Sequence, residues 1–178
     1  MAEITLTQVP PATGALPRAK GGMTLALVDP GPLTSIAPFR GQAGAVSEAL
    51  KTATGLALGP GHVALDGAAI QWFGRDLWLL TGVAAPDLPG AALSDQTDAW
   101  VTLELTGPHI AEVMARLVPL DLRDPVFPPG TAVRTELRGM MVALARTGPE
   151  SLRITAFRSM AGTLARTIGE AMENVAAL

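Results

Sequence analysis

The chain has 178 residues, a formal charge of −3 and only 16% charged residues, and its 48% apolar fraction stands at the upper end of ordinary usage. It contains no cysteine, which excludes disulfides, thiolate metal sites, iron–sulfur ligation and a cysteine nucleophile. With Lys20 and Lys51 its only lysines, an acidic balance and 4% aromatic residues without tyrosine, it lacks the basic, base-stacking surface that nucleic acid requires.

A chain of this length suits one domain, or two small lobes that share a core and bury roughly 70% of the unfolded surface. Residues 1–22 are rich in Pro, Thr, Ala and Gly without a sustained period, and are expected to form an extended or disordered arm. They show neither a basic start with an apolar core nor, here or elsewhere, an apolar run near the roughly 20 residues that span a bilayer, so a cytoplasmic location is expected. From Met23, MTLALV reads as a strand that Thr34 to Phe39 continues after the Pro30-Gly31-Pro32 break. Ala43, Val46, Ala49, Leu50 and Ala53 then share one face of a helix from about Gln42 to Thr54, which Gly55 stops. Ala69 to Gly74 and Leu77 to Thr81 form a hairpin across which Trp72 and Trp78 can pair.

After the proline-rich break at 86–90 a similar order returns. Trp100 to Leu105 alternates as a half-buried strand. Thr106-Gly107-Pro108 opens a helix with Ile110, Val113, Met114 and Leu117 as its apolar stripe. PLDLRDPVFPPG, from Pro119 to Gly130, is a loop; 132–137 and 140–145 form a hairpin; Ser151 to Phe157 adds a strand. Ser159 is positioned to cap a last helix that buries Leu164, Ile168, Ala171 and Met172. Aligning the halves sets Phe39-Arg40-Gly41 against Leu105-Thr106-Gly107, Leu56-Ala57-Leu58 against Leu120-Asp121-Leu122, and Phe73-Gly74 against Arg138-Gly139. This repeat predicts an α+β fold of two ferredoxin-like split βαβ halves in one compact body, a single domain over 23–178 with lobes of about 23–85 and 94–178.

The chain offers little chemistry of its own. It has no G-x-S-x-G elbow, and Gly59-Pro60-Gly61 lacks the glycine spacing and preceding strand of a phosphate-binding turn. His62 and His109 follow turn residues and stand in no ligand-spaced pair, which discounts zinc. Asp95 with Asp98, and Asp121 with Asp124, could supply an acid and a base, but aspartates in turns commonly bind their own backbone. Arg123 can pair with Asp124, or either can face a partner. The low charge fits either a loop-rich exterior or a surface covered by another subunit. In Phe127-Pro128-Pro129-Gly130, prolines hold one aromatic in a rigid loop, which suits an interface anchor or a cap on the core. Asp95, Trp100, Leu120, Asp121, Arg123, Phe127, Pro128 and Arg158 are the candidate subunit-interface residues; no catalytic, cofactor-binding or metal-ligating residue is assigned.

Leu77-Trp78-Leu79-Leu80, DQTDAW at 95–100, LTGP at 105–108, PLDL with FPPG, and Arg158-Ser159 before the last helix occur in an order that resembles the gamma subunit of heterotetrameric sarcosine oxidase. The resemblance covers about Leu77 to Met172 and implies a fold related to the folate-binding domain of the aminomethyltransferases. It also implies a non-catalytic chain beside alpha, beta and delta subunits, which hold FAD, FMN, NAD, tetrahydrofolate and zinc. Such a complex oxidatively demethylates sarcosine to glycine, passes the one-carbon unit to tetrahydrofolate or releases formaldehyde, and forms hydrogen peroxide. The alternatives left open are the small subunit of a related complex such as N-methylglutamate dehydrogenase, and a free-standing folate-binding protein.

Overall fold

The computed structural model describes residues 9–178, apart from the side chain of Asp66. Among the described residues eleven strands and three helices follow one another as β1 (Arg18–Lys20), β2 (Met23–Val28), β3 (Leu33–Pro38), α1 (Ala43–Thr54), β4 (Val63–Asp66), β5 (Ala68–Gly74), β6 (Leu77–Thr81), β7 (Ala91–Asp95), β8 (Trp100–Thr106), α2 (Ile110–Ala115), β9 (Ala132–Leu137), β10 (Met140–Gly148), β11 (Ser151–Phe157) and α3 (Ala161–Ala176). The strands form two wholly antiparallel sheets, ordered β1-β2-β8-β11-β10-β9 and β4-β5-β6-β3-β7. The fold is α+β.

Side-chain alternation stacks these elements in four layers. Met23, Leu25, Leu103, Leu105, Val142 and Ile154 turn one face of the larger sheet to α2 and α3, where they meet Val113, Met114, Leu164 and Ile168. Ile36, Ile70 and Leu80 turn the outer face of the smaller sheet to Val46 and Leu50 of α1. The two inner faces meet through Leu33, Phe73, Leu79 and Ala143. At one side the sheets are also joined by backbone bonds, Val63 N to Gly130 O at 2.9 Å and Ala132 N to Gly61 O at 2.7 Å, which engage both edge strands β4 and β9.

The halves interlock. In each, a strand, a helix and three further strands assemble in one order, β4-β5-β6-β3 and β9-β10-β11-β8. The strand that precedes each unit joins the other unit's sheet: β2 pairs with β8, and β7 pairs with β3. Thr34 to Phe39 therefore does not continue the Met23 strand but lies in the opposite sheet. Four-residue connectors, 29–32 and 96–99, make both crossings. Each is set by an aspartate that accepts an amide proton two residues on, Asp29 Oδ1 from Gly31 N at 3.0 Å and Asp95 Oδ1 from Thr97 N at 2.9 Å.

This topology refines the internal alignment. Phe73-Gly74 corresponds to the β10–β11 turn rather than to Arg138-Gly139, because β4, four residues without clear alternation, adds a strand to the first half. With that strand present, each helix leads to the far edge of its own sheet and no parallel split βαβ pair is formed. The helix starts also move. Gly107 and His109 both take positive φ, 108° and 66°, so α2 begins only at Ile110. Ser159 caps nothing, since α3 is entered through a 3-10 turn over Arg158–Met160. The α2 and α3 stripes, the left-handed Gly55 stop and the Trp72–Trp78 register match the sequence expectation, whereas in α1 only Val46 and Leu50 are buried, Ala49 is half-buried, and Ala43 and Ala53 are exposed. Within the stretch expected to be an arm, Arg18–Lys20 pairs with β2, while residues 1–8 lie outside the described residues.

Gly107 sits where β8 leaves the sheet beside β2, and a Cβ there would run into the Gly22 carbonyl oxygen and approach Met23 Cα to 3.0 Å. Gly107→Ala combines that clash with an unfavourable φ and should lower stability by about 1–3 kcal/mol, measured by urea denaturation.

Candidate subunit-interface site

The eight candidate residues fall in two groups near opposite ends of the larger sheet, with Asp95 supplied by β7 of the smaller one. β11 runs between those ends, from Ser151 to Phe157, a span of about 20 Å at roughly 3.4 Å per residue.

At one end the connector 96–99 delivers Trp100 to the start of β8. Asp95 Oδ1 also accepts the Thr97 hydroxyl at 2.7 Å, and Thr97 Oγ1 accepts the Leu33 amide at 3.1 Å. The Thr97 hydroxyl and amide together hold the exposed Asp95 carboxyl below its ordinary pKa. Trp100 donates from Nε1 to Gln96 Oε1 at 3.2 Å. Its ring stacks on Phe157, the residue opposite it on β11, at 4.5 Å and 17°, and meets Phe73 edge-on at 4.7 Å and 80°. The Arg134 guanidinium lies 4.6 Å over Phe73 and 5.8 Å from the Trp100 ring, and Nη1 donates to Phe73 O at 3.2 Å. Arg158 follows Phe157: its amide donates to Ala99 O at 2.9 Å and its Nη2 to Val9 O at 3.4 Å. Trp100, Arg158, Asp29, Asp98, Pro10 and Pro11 line a half-open cleft of about 410 Å³. Beside it Phe157 is 46% exposed, with Met160 at 40% and Met141 of β10 at 47%. The exposed aromatic and methionines were not singled out from sequence; the outward parity of Phe157 and Met141 depends on sheet register and on how far the smaller sheet covers that face.

At the other end Arg146 fixes the loop 119–130. Only 4% exposed, its guanidinium donates to Leu122 O at 3.3 Å, Gly148 O at 2.9 Å, Asp124 Oδ1 at 2.8 Å and Pro149 O. Leu122 is buried and Leu120 packs partly against the same core. Phe127 is 6% exposed and lies in that core among the α2 and α3 side chains, so it caps the core and is not an outward anchor. Its burial follows from the Val126 and Phe127 amides, which both donate to Arg123 O at 2.9 Å and turn the ring inward. Pro128 remains exposed. Arg123 pairs with Asp121, not Asp124: Nε reaches Oδ1 at 2.9 Å and Oδ2 at 3.1 Å, while the Arg123 amide donates to Oδ1 at 3.1 Å. Asp124 pairs with Arg146.

His109 Nδ1, just before α2, lies 2.8 Å from Glu112 Oε2, and His62 Nδ1 lies 3.3 Å from Gly130 O. Among the described residues no group of three His, Cys, Asp or Glu could hold a metal ion, and no helix is long and apolar enough to cross a membrane.

The fold is similar to that of one chain of a solved structure of heterotetrameric sarcosine oxidase from Corynebacterium sp. U-96 in complex with pyrrole 2-carboxylate. That chain is 28% identical, superposes with a TM-score of 0.77, and is matched over 94% of this chain and 92% of its own length. The sarcosine oxidase subunit gamma of Corynebacterium sp. (strain U-96) is 35% identical over 127 residues, 64% of this chain and 62% of that relative. The chain is similar in sequence to sarcosine oxidase gamma subunits. The subunit gamma of Arthrobacter sp. is 32% identical over 123 residues, 62% of this chain and 61% of the relative. The sequence alignments thus span less than two thirds of these gamma subunits, and the remaining likeness is carried by the fold. No family model matches the sequence.

The Asp121 carboxyl is held well below its ordinary 3.8, at about 2, first by the Arg123 side chain and then by the Arg123 amide. The stabilising contact of a depressed carboxylate is fully present above its unfolded pKa and is lost as pH falls through the folded value. Carboxyl NMR titration should place Asp121 near 2, and Arg123→Ala should bring it back toward 3.8; an unmoved titration would show that the guanidinium does not hold the carboxylate in solution.

Proposed function

We propose that this chain is the non-catalytic gamma subunit of a heterotetrameric sarcosine oxidase. The complex oxidatively demethylates sarcosine to glycine, transfers the one-carbon unit to tetrahydrofolate or releases it as formaldehyde, and reduces oxygen to hydrogen peroxide. FAD, FMN, NAD, tetrahydrofolate and zinc belong to the alpha, beta and delta subunits, and the assembly is cytoplasmic. The observation that carries this reading is the likeness to a chain of heterotetrameric sarcosine oxidase, at a TM-score of 0.77 over 94% of the chain. The titratable groups fit it: each aspartate of the candidate set is tied to its own turn, and none faces a base or nucleophile across a pocket.

The surface assigned to the partner is the end of the larger sheet that carries Trp100, Phe157 and Arg158, with Asp95 holding the connector. An exposed Phe157, a half-buried Trp100 and an arginine beside a cleft are residue types that dominate interface energetics. The stack of Phe157 on Trp100 presents that surface preorganised, which lowers the ordering cost of association. Asp121, Arg123, Pro128 and the half-buried Leu120 form a second, more polar surface at the far end of the sheet. Phe127 is excluded from either.

Purification of the tagged chain from its native host should bring down larger flavin-bearing subunits and sarcosine-dependent peroxide formation. Turnover of N-methylglutamate in place of sarcosine would reassign the substrate, and a colourless solitary chain would sink the subunit reading. In the same pull-down Phe157→Ala should reduce recovery of the partners while destabilising the chain by only about 0.5–1.5 kcal/mol, the worth of its stack on Trp100. Phe127→Ala, a core truncation, should instead destabilise the chain by about 3–5 kcal/mol.

A further inference from the structure

The inner faces of the two sheets are apolar around Leu33, Phe73 and Leu79 but not throughout. Gln71 of β5 is 9% exposed, and Thr102 of β8 and Thr155 of β11 are buried at 6% and 4%. Gln71 Nε2 is fully buried without a hydrogen-bond partner among the described residues. A buried donor left in that state costs about 1–3 kcal/mol. The Thr102 and Thr155 hydroxyls bond each other at 3.1 Å. Two hydroxyls bring two hydrogens, and that contact uses one, so a second donor and several lone pairs remain on the threonine side.

Gln71, Thr102, Thr155 and Arg153 line one pocket between the sheets, of about 20 Å³. Its size decides what it can hold. One water needs roughly 10–15 Å³ of such space and two to four polar partners, whereas a carboxylate or any larger ligand does not fit. We infer that this pocket is a built hydration site for a single ordered water. The water accepts a hydrogen bond from Gln71 Nε2 and donates to a threonine hydroxyl oxygen, and so ties β5 of one sheet to β8 and β11 of the other. The pocket shares Val28, Pro30, Ala69, Thr81 and Arg153 with an outer crevice of about 300 Å³. Arg153 is held there by its bond from Nε to Glu104 Oε1 at 3.1 Å. The water therefore exchanges with solvent past the Arg153 guanidinium rather than being sealed in at folding.

A high-resolution crystal structure of the full chain, alone or in the assembly with which it purifies, should show a water about 2.7–3.2 Å from both the Gln71 side-chain amide and a threonine hydroxyl. In solution the Gln71 side-chain amide protons, assigned by their loss in Gln71→Met, should show direct cross-relaxation with water. A pocket without such a peak, or a Gln71 amide turned to bond a protein carbonyl, would overturn the inference, as would the absence of the water cross-peak.

Discussion

Each sheet of this protein lacks a strand that only the other half of the chain can supply. β2 lies against β8, and β7 lies against β3, through five register pairs in each case. The backbone amides and carbonyls along β3 and β8 would otherwise be free sheet edges, which are costly when buried and prone to wrong pairing when exposed. The exchange removes both edges at once and makes the halves interdependent. It also explains why the connectors are short: four residues lead from each exchanged strand into the opposite sheet, and an aspartate turn fixes the direction of each.

The candidate interface grows out of that crossing. Trp100 is the first residue after the second connector, and the tie from Asp95 through Thr97 to Leu33 sets its backbone. β8 pairs with β11, which places Phe157 opposite Trp100, and near the end of β5 in the facing sheet Phe73 meets the same ring. Three aromatics from both sheets therefore meet where the chain passes between them, with Arg134 over the cluster and Arg158 at the mouth of the cleft. The smaller sheet does not cover this end, which leaves Phe157, Met141 and Met160 exposed. At the far end Arg146 spends its donors on carbonyls of the loop and the neighbouring turn, and the result is a rigid, largely polar surface.

Two kinds of sequence feature led to different outcomes. Helix stripes such as Val113 with Met114 and Leu164 with Ile168 were legible because burial on one helix face repeats every three to four residues, wherever the helix packs. Turn chemistry was legible for a similar reason: Asp95, Asp121 and Gly55 act on atoms within a few residues of themselves. Phe127 was not decided in that way. A proline-flanked phenylalanine can point inward or outward, and what turned it inward is the Arg123 carbonyl that gathers two amides and the core that receives the ring. The pairing of Arg123 had the same character, since Asp121 two residues before it and Asp124 next after it are both near in sequence, and Arg146 takes Asp124 from another strand.

Local periodicity, glycine and aspartate turns, and the absence of cysteine and of ligand-spaced histidines were determined by the sequence alone, because each depends on residues close together in the chain. They set the α+β class, most of the strands and helices, and the lack of a recognisable catalytic group. Which sheet a strand joins, which parity faces the other sheet, and therefore which of Trp100, Phe127 and Phe157 reaches the surface, were decided only by the tertiary structure. A strand carries two edges and two faces that look alike from within its own few residues, and only the distant strand or helix that occupies them fixes their roles.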